Sequence, residues 1–200
     1  QANLLRGRLK DDYAKLLQRE YRYLVKKCQL SPIHIPVYFL RMRPGNFPTL
    51  RLAQLAMLIF HTEHLFSKVV EAKNTSDIRD MFCVTANDYW HYRYRFDEPS
   101  PHKVKSMGNT IIDALIINAV VPMLFAYGQY HNDETQKHKA IQWLEELDAE
   151  SNKITAIFRS ASLQNQNAFD SQAYLELKTR YCDPRLCLNC AVGSALLKME

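Results

Sequence analysis

Three of the five cysteines lie within nine residues near the end of the chain, in the string YCDPRLCLNCAVG. Cys182, Cys187 and Cys190 follow the spacing C-x4-C-x2-C, and Pro184 favours a turn between the first two. Thiolates at this spacing can converge on one metal ion, as they do in zinc and iron–sulfur sites. Both kinds of site use four ligands, so the three cysteines predict a metal centre that lacks one local ligand.

The fourth ligand of such a centre would come from elsewhere in the chain. The candidates are Cys28, Cys83 and His64. Free cysteine also packs as a small hydrophobic residue, and that role is the alternative for the three C-terminal cysteines. Five cysteines, an odd number, make a poor disulfide framework, so we expect a reducing, cytoplasmic location. The sequence begins at Gln1 and shows no charged segment followed by an apolar one at this end, so no signal peptide is expected.

Two histidines, His61 and His64, flank a glutamate in the string H-T-E-H. Histidine and carboxylate ligands on one helix face bind metal in diiron bundles, but those sites use two such pairs. The sequence has no second pair and no GxGxxG, Walker, GxSxG or HExxH motif. We therefore interpret these histidines as helix surface and predict that this segment is not an enzyme.

Arginines cluster where a helix is predicted to begin, near Thr49. Arg41, Arg43 and Arg51 lie around this N-terminus, where positive side chains oppose the helix dipole. A bound anion such as phosphate, held by arginines and free backbone N–H groups, would explain them. Pairing with carboxylates such as Asp113 is the other explanation, and the one that we favour.

Aromatic and basic residues are interleaved in the string YWHYRYRF, residues 89–96. Tyr92 and Tyr94, together with Arg93 and Arg95, could form a stacking platform for single-stranded nucleic acid. Alternatively, the aromatic side chains anchor a surface loop and the arginines lie over them. The sequence leaves both interpretations open and favours the anchor.

The net charge of +5 is unevenly distributed. Residues 1–105 carry 18 Lys and Arg against 10 Asp and Glu, whereas residues 106–200 carry 8 against 11. A basic region can attract nucleic-acid phosphates without sequence preference. The other interpretation is a helical protein with solvated lysine and arginine faces, because this excess is modest for a dedicated binding domain.

The element that must organise these residues is the apolar stretch GNTIIDALIINAVVPMLFAYG, residues 108–128. It predicts a central buried helix over about 109–127, because a helix that is apolar on every side lies in a core or a membrane. Asp113, Asn118 and Pro122 argue against lipid, so no membrane partner is expected. We expect Asp113 and Asn118 to be satisfied inside the core, Asp113 by an arginine.

Helical periodicity recurs on both sides of this stretch, first from Asp11 to Cys28. Asp133, Ser151 and Asp170 or Ser171 are candidate N-caps for later helices, and a last helix is predicted from about Ala191. No segment alternates with a period of two. The sequence therefore predicts an all-α fold, an irregular helical bundle or array over 1–200 in a single domain, with little or no sheet.

Several strings resemble the bacterial domain-of-unknown-function 2851 family: RPGNFPTLRLAQLA, HLFSK, NAVVPMLFAYG, NAFDSQA and YCDPRLCLNCAVG. The resemblance covers most of the chain from Tyr21 onward and implies no established activity. It implies that this chain is the helical C-terminal portion of a longer protein. The resemblance also implies a preceding half, absent from this sequence, whose acidic and E-x-H pattern is similar to that of restriction-endonuclease-like nucleases. The three C-terminal cysteines belong to the family pattern, whereas Cys28 and Cys83 do not.

Two functional hypotheses follow from the sequence. The first is a nucleic-acid-handling module that serves the nuclease-like half through a basic face built from Arg41, Arg43, Arg51, Arg93 and Arg95. The second is a structural or protein-interaction module that scaffolds that half and has no ligand of its own. Phosphate binding weakens steeply as salt rises, so salt dependence distinguishes the two hypotheses.

Overall fold

The computed structural model of the chain describes residues 4–5, 7–33 and 37–197. The described helices are α1 (Asp12–Cys28), α2 (Pro48–His61), α3 (Leu65–Glu71), α4 (Thr75–Phe82), α5 (Asp88–His91), α6 (Asn109–His131), α7 (Glu134–Glu146), α8 (Lys153–Ser160), α9 (Ala168–Glu176) and α10 (Ala191–Leu197). Strands β1 (Arg93–Arg95) and β2 (Glu98–Pro99) pair antiparallel between α5 and α6. The predicted all-α class is confirmed, because 64% of the protein is helical and the sheet is this one small pair among the described residues.

Two compact units make up the chain, and neither is a continuous segment. Unit 1 contains Gln1–Leu65 and Asp80–Asn109, and unit 2 contains Phe66–Arg79 and Thr110–Glu200. By sequence, unit 1 carries 15 Lys and Arg against 8 Asp and Glu, and unit 2 carries 11 against 13. The net charges are therefore +7 and −2 with neutral histidine, so the positive charge belongs to unit 1. A single domain over residues 1–200 stays a prediction.

The core of unit 1 lies where α2 meets α5 and β1. Leu50, Ala86 and Trp90 are buried in one cluster, and Ala53, Tyr89, Tyr94 and Phe96 pack against it. Pro48 opens α2, where the proline's missing N–H has no helical partner to lose. The Nε2 atom of Gln54, which is 1% exposed, donates to the Lys105 carbonyl at 3.1 Å, so this polar side chain is satisfied inside the core.

The core of unit 2 is the antiparallel pair of α6 and α7. Fully buried Ile112, Ile116 and Leu124 come from α6, and Trp143 comes from α7. The carboxylate of Asp133 accepts from the backbone N–H groups of the first turn of α7, which confirms Asp133 as the N-cap.

The predicted central helix is present and runs to His131, about one turn beyond its predicted end. Ile116–Val120 forms a π-helical turn that ends two residues before Pro122, whose ring and missing N–H disturb the regular hydrogen-bond ladder. Burial is confined to one side of the helix, because Met123 is 55% and Tyr130 83% exposed. The prediction that Asn118 lies inside the core is wrong. It is exposed, and its Nδ2 donates to the Ala114 carbonyl beside the π turn.

The prediction that an arginine satisfies Asp113 is confirmed. The Nε atom of Arg79, on α4, donates to Asp113 Oδ1 at 2.7 Å. The two side chains are 35% and 28% exposed, so the pair is partly rather than fully buried. The partner is therefore not Arg41, Arg43 or Arg51, for which pairing with Asp113 was predicted from the sequence.

By length and composition alone, α6 could cross a membrane, since the mean hydropathy of its most apolar window is 1.9. Of that window, 39% is buried inside the protein. The core helix of a globular protein passes the same test, so this helix is weak evidence for a membrane span. The cytoplasmic location stays a prediction.

Candidate functional site

The interleaved aromatic and basic segment forms α5 and β1 and is packed into unit 1. Trp90 is 3% exposed, and its ring meets Phe96 and Tyr89 at centroid distances of 5.1 and 5.2 Å. Tyr89 also stacks on Tyr13 of α1 at 4.4 Å. The aromatic side chains therefore hold this segment and the start of α1 together, as the anchor interpretation expects.

Asp11, directly before α1, is the polar centre of this contact. Its carboxylate accepts from Tyr89 Oη at 2.7 Å, Arg93 Nε at 2.8 Å and the backbone N–H of Asp97 at 3.2 Å. The Tyr89 hydrogen bond and the Arg93 guanidinium hold the pKa of Asp11 below its ordinary value. Burial and the Asp11 carboxylate raise the pKa of Tyr89. Arg93 is thus engaged in an internal ion pair.

Arg95 and Tyr94 are also covered from within unit 1. The Arg95 guanidinium lies 4.6 Å from the ring centroid of Phe39 and 4.8 Å from that of Phe47. The Lys105 ammonium lies 3.8 Å from the Tyr94 ring centroid. Such cation–π contacts stabilise the fold and leave little of these side chains for a stacked base.

The remaining candidate nucleic-acid or anion residues differ in whether their side chains are exposed or already bound within the protein. Arg51 donates to Gln54 Oε1 at 2.7 Å and to Asn46 Oδ1 at 2.6 Å, and burial lowers its pKa. Arg41 and Arg43 are exposed. Tyr92 is 52% exposed, with its ring 4.9 Å from that of His102. All seven predicted nucleic-acid or anion residues belong to unit 1, but only Arg41, Arg43 and Tyr92 are exposed.

The C-terminal cysteines lie between α9 and α10: Cys182 ends a π-helical stretch (Leu177–Cys182), Cys187 begins a 3-10 turn (Cys187–Asn189), and Cys190 directly precedes α10. Cys182 and Cys187 are exposed, Cys190 is buried, and all three are free thiols. Within the described ranges, no three His, Cys, Asp or Glu side chains form a group that could hold a metal ion. The structure therefore does not bring the three predicted ligands together, and the zinc or iron–sulfur site stays a prediction.

The histidines of the H-T-E-H string are exposed, as expected. His61 ends α2, and His64 has a φ of 54° in the turn before α3. The helix predicted to begin near Thr49 thus ends at His61, and the two histidines do not share one helix face. The turn separates α2 in unit 1 from α3.

An apolar groove lies between α1 and α2 in unit 1, and the sequence did not predict it. Its volume is about 850 Å³. On the α1 side it is lined by Tyr13, Leu17, Tyr21 and Val25, which recur every fourth residue and so form one row. On the α2 side it is lined by Leu52, Ala53 and Ala56.

The floor and ends of the groove are also apolar. Trp90 and Phe96 reach it from the core cluster, and Leu4, Leu5, Leu30, Pro32 and Ile33 line it from the segments that flank α1. Among the described lining residues, the charged ones are Arg22 and Lys26, both exposed on α1. The periodicity of α1 was visible in the sequence. The groove was not, because it depends on how far α1 stands from α2.

Comparisons with known proteins include a match to a protein-family model. The model of the family described as a protein of unknown function (DUF2851) matches residues 1–153. The string that contains the C-terminal cysteines lies after the matched residues. No curated protein and no solved structure matches the chain.

Proposed function

Because the chain belongs to the domain-of-unknown-function 2851 family, whose description states no activity, we propose its function from the geometry of its own residues. The proposal is a non-catalytic protein-interaction module. Its partner is the preceding half of the same parent protein, and the groove between α1 and α2 holds a segment of that half.

The groove is the observation that supports this proposal. Clefts of this size that are lined by apolar and aromatic side chains are the usual form of a binding site. Leu52, on the groove wall, is 43% exposed, and the neighbouring apolar residues Leu55 and Ile59 of α2 are 44% and 59% exposed. Exposed apolar surface that continues beyond a groove is typical of a site that another protein covers.

Co-purification tests the proposal. The preceding half of the parent protein, expressed separately, should elute with this chain from a size-exclusion column. Ala56→Phe fills the groove from α2 and should separate the two proteins. Ala156→Phe, which makes the same change at an exposed position of α8 in unit 2, should leave the complex intact. Separate elution of the unmodified pair would contradict the proposal.

Nucleic-acid handling is the second candidate, favoured by the net charge of unit 1 and by exposed Arg41 and Arg43. It ranks below the interaction module because Arg51, Arg93 and Arg95 are occupied by contacts within unit 1. The salt dependence of oligonucleotide binding tests it.

A further inference from the structure

We infer that the occupant of the groove between α1 and α2 is an amphipathic helix with acidic side chains beside its apolar stripe. This inference builds on the proposed interaction role and names the chemistry of the partner segment. The length of the groove, the spacing of its lining residues and the sign of its charge support it.

The dimensions of the groove fit a helix. The lining row of α1 spans Tyr13 to Val25, which is twelve steps of about 1.5 Å, or about 18 Å. A partner helix of about 12 residues covers that length. Helices bind such grooves by inserting apolar anchors at spacings of three and four residues. The row at every fourth residue on α1 offers the matching surface.

The walls leave room for such anchors because of their residue sizes. Ala53 and Ala56 on α2 are small, and they face the larger side chains of the α1 row across the groove. Small residues on one wall and large residues on the other allow the side chains of a third helix to lie between them. The apolar part of the occupant would therefore rest on Ala56 and against Leu17 and Tyr21.

The charge at the rim selects an acidic partner. Arg22 and Lys26 lie one helical turn apart on α1, and both are exposed and line the groove. No acidic residue is among the described lining residues. A helix that carries glutamates beside its apolar stripe would gain attraction from both cations, and a lysine-rich helix would be repelled.

Other ligands fit the groove less well. A nucleic acid needs many phosphate contacts, and this groove supplies two cations on an otherwise apolar lining. A fatty acid would use the apolar volume and one cation, and competition by oleate distinguishes it in the experiment below.

The experiment measures fluorescence anisotropy with two labelled helical peptides of about 16 residues. Both have the same leucine stripe. One has glutamates and the other has lysines at the flanking positions. We expect the glutamate peptide to bind this chain about tenfold more tightly than the lysine peptide at low salt, with the difference shrinking as salt rises. Ala56→Phe should weaken the binding of the glutamate peptide, whereas Ala156→Phe should leave it unchanged.

Charge reversal gives the decisive control. The double variant Arg22→Glu/Lys26→Glu should reverse the preference toward the lysine peptide, a gain that an unfolded variant cannot produce. Arg19→Glu/Lys27→Glu makes the same change in net charge on exposed α1 residues that do not line the groove. This control should keep the preference for glutamate, and circular dichroism should be the same for all variants.

Several results would overturn the inference. The glutamate and lysine peptides could bind equally well, or Ala56→Phe could leave the binding of the glutamate peptide unchanged. Alternatively, neither peptide could bind, with or without binding of oleate in the groove. If neither peptide binds while the preceding half still co-elutes and is released by Ala56→Phe, the proposed interaction module stands. The inference that an acidic helix occupies the groove is then wrong. If the glutamate peptide binds as expected and the half does not co-elute, the inference stands and the partner named above is wrong.

Discussion

At the scale of single residues, Asp11 joins three parts of unit 1. Its carboxylate accepts from the phenol of Tyr89, the guanidinium of Arg93 and a backbone N–H at Asp97. Asp11→Asn removes the charge and keeps the shape. We expect it to lower the free energy of unfolding at neutral pH by about 1–2 kcal/mol, as for charge-assisted hydrogen bonds.

The pH dependence of that loss has a defined sign. The native pKa of Asp11 is lower than its ordinary value of 3.8, so the native state favours the carboxylate. The stabilisation is therefore complete above about pH 5 and disappears as pH falls through the lowered native pKa. Urea unfolding of the protein and of Asp11→Asn between neutral pH and pH 3 measures it. Asp12→Asn, whose side chain is 98% exposed, is the control, and an equal effect of the two variants would contradict the prediction.

The ion pair of Arg79 with Asp113 gives a second residue-scale prediction. Asp113→Ala leaves the Arg79 guanidinium without its carboxylate in a partly buried position of unit 2. The expected loss is about 1–2 kcal/mol, between the values for exposed and buried pairs. A double-mutant cycle with Arg79→Met should give a coupling of at least half that size. Additive single effects would mean that the contact contributes little.

The sequence was sufficient to predict which type of residue pairs with a buried charge. It was not sufficient to predict which residue of that type is the partner. A carboxylate in an apolar helix needs a cation or donors, so an arginine partner for Asp113 was predictable. Which arginine it is depends on the position of α4, and sequence spacing does not contain that information. The same limit applies to Arg93, because Asp11 is far from it along the chain.

At the scale of secondary-structure elements, the contact between α6 and α7 depends on Gly128. A Cβ atom at this position would lie 2.8 Å from the Asp133 carbonyl oxygen and 2.8 Å from Lys137 Cγ. Gly128→Ala therefore forces the start of α7 away from α6, and we expect a loss of about 1–3 kcal/mol. Thermal unfolding measures it. Gly108→Ala, where a Cβ meets nothing within 4 Å, should leave the melting temperature unchanged or slightly higher. A Gly128→Ala variant as stable as the unmodified protein would contradict the close approach.

The elements themselves were largely predictable, with small errors at their ends. The N-cap at Asp133 was predicted correctly, whereas α8 is capped by Asn152 rather than Ser151 and α9 by Asn167 rather than Asp170 or Ser171. In both cases an asparagine close by has its side-chain oxygen within reach of the first free N–H groups. Several capping residues in a row make the choice depend on backbone geometry. The groove between α1 and α2 was not predictable, because both helices have apolar rows and only their separation leaves a gap.

At the scale of the whole molecule, charge is concentrated in unit 1 with a net +7, and its exposed cations set how strongly the protein can bind phosphates. If Arg41 and Arg43 alone contact a duplex oligonucleotide, the logarithm of the binding constant should fall with a slope of about −2 against the logarithm of the salt concentration. We expect that slope, with binding detectable at low salt and lost near about 150 mM.

Two double variants test where the phosphates bind. Arg41→Ala/Arg43→Ala should weaken the low-salt binding and make the slope shallower by about 2, because Arg51, Arg93 and Arg95 are held by contacts within unit 1 and do not replace them. Lys153→Ala/Arg159→Ala removes two exposed cations from α8 of unit 2 and should have no effect. A slope of about −4 or steeper would mean that further cations of unit 1 reach phosphates, either other exposed ones such as Arg22 and Lys26 or arginines that leave their internal partners. In that case the nucleic-acid module, rather than the interaction module, would be the better account of unit 1.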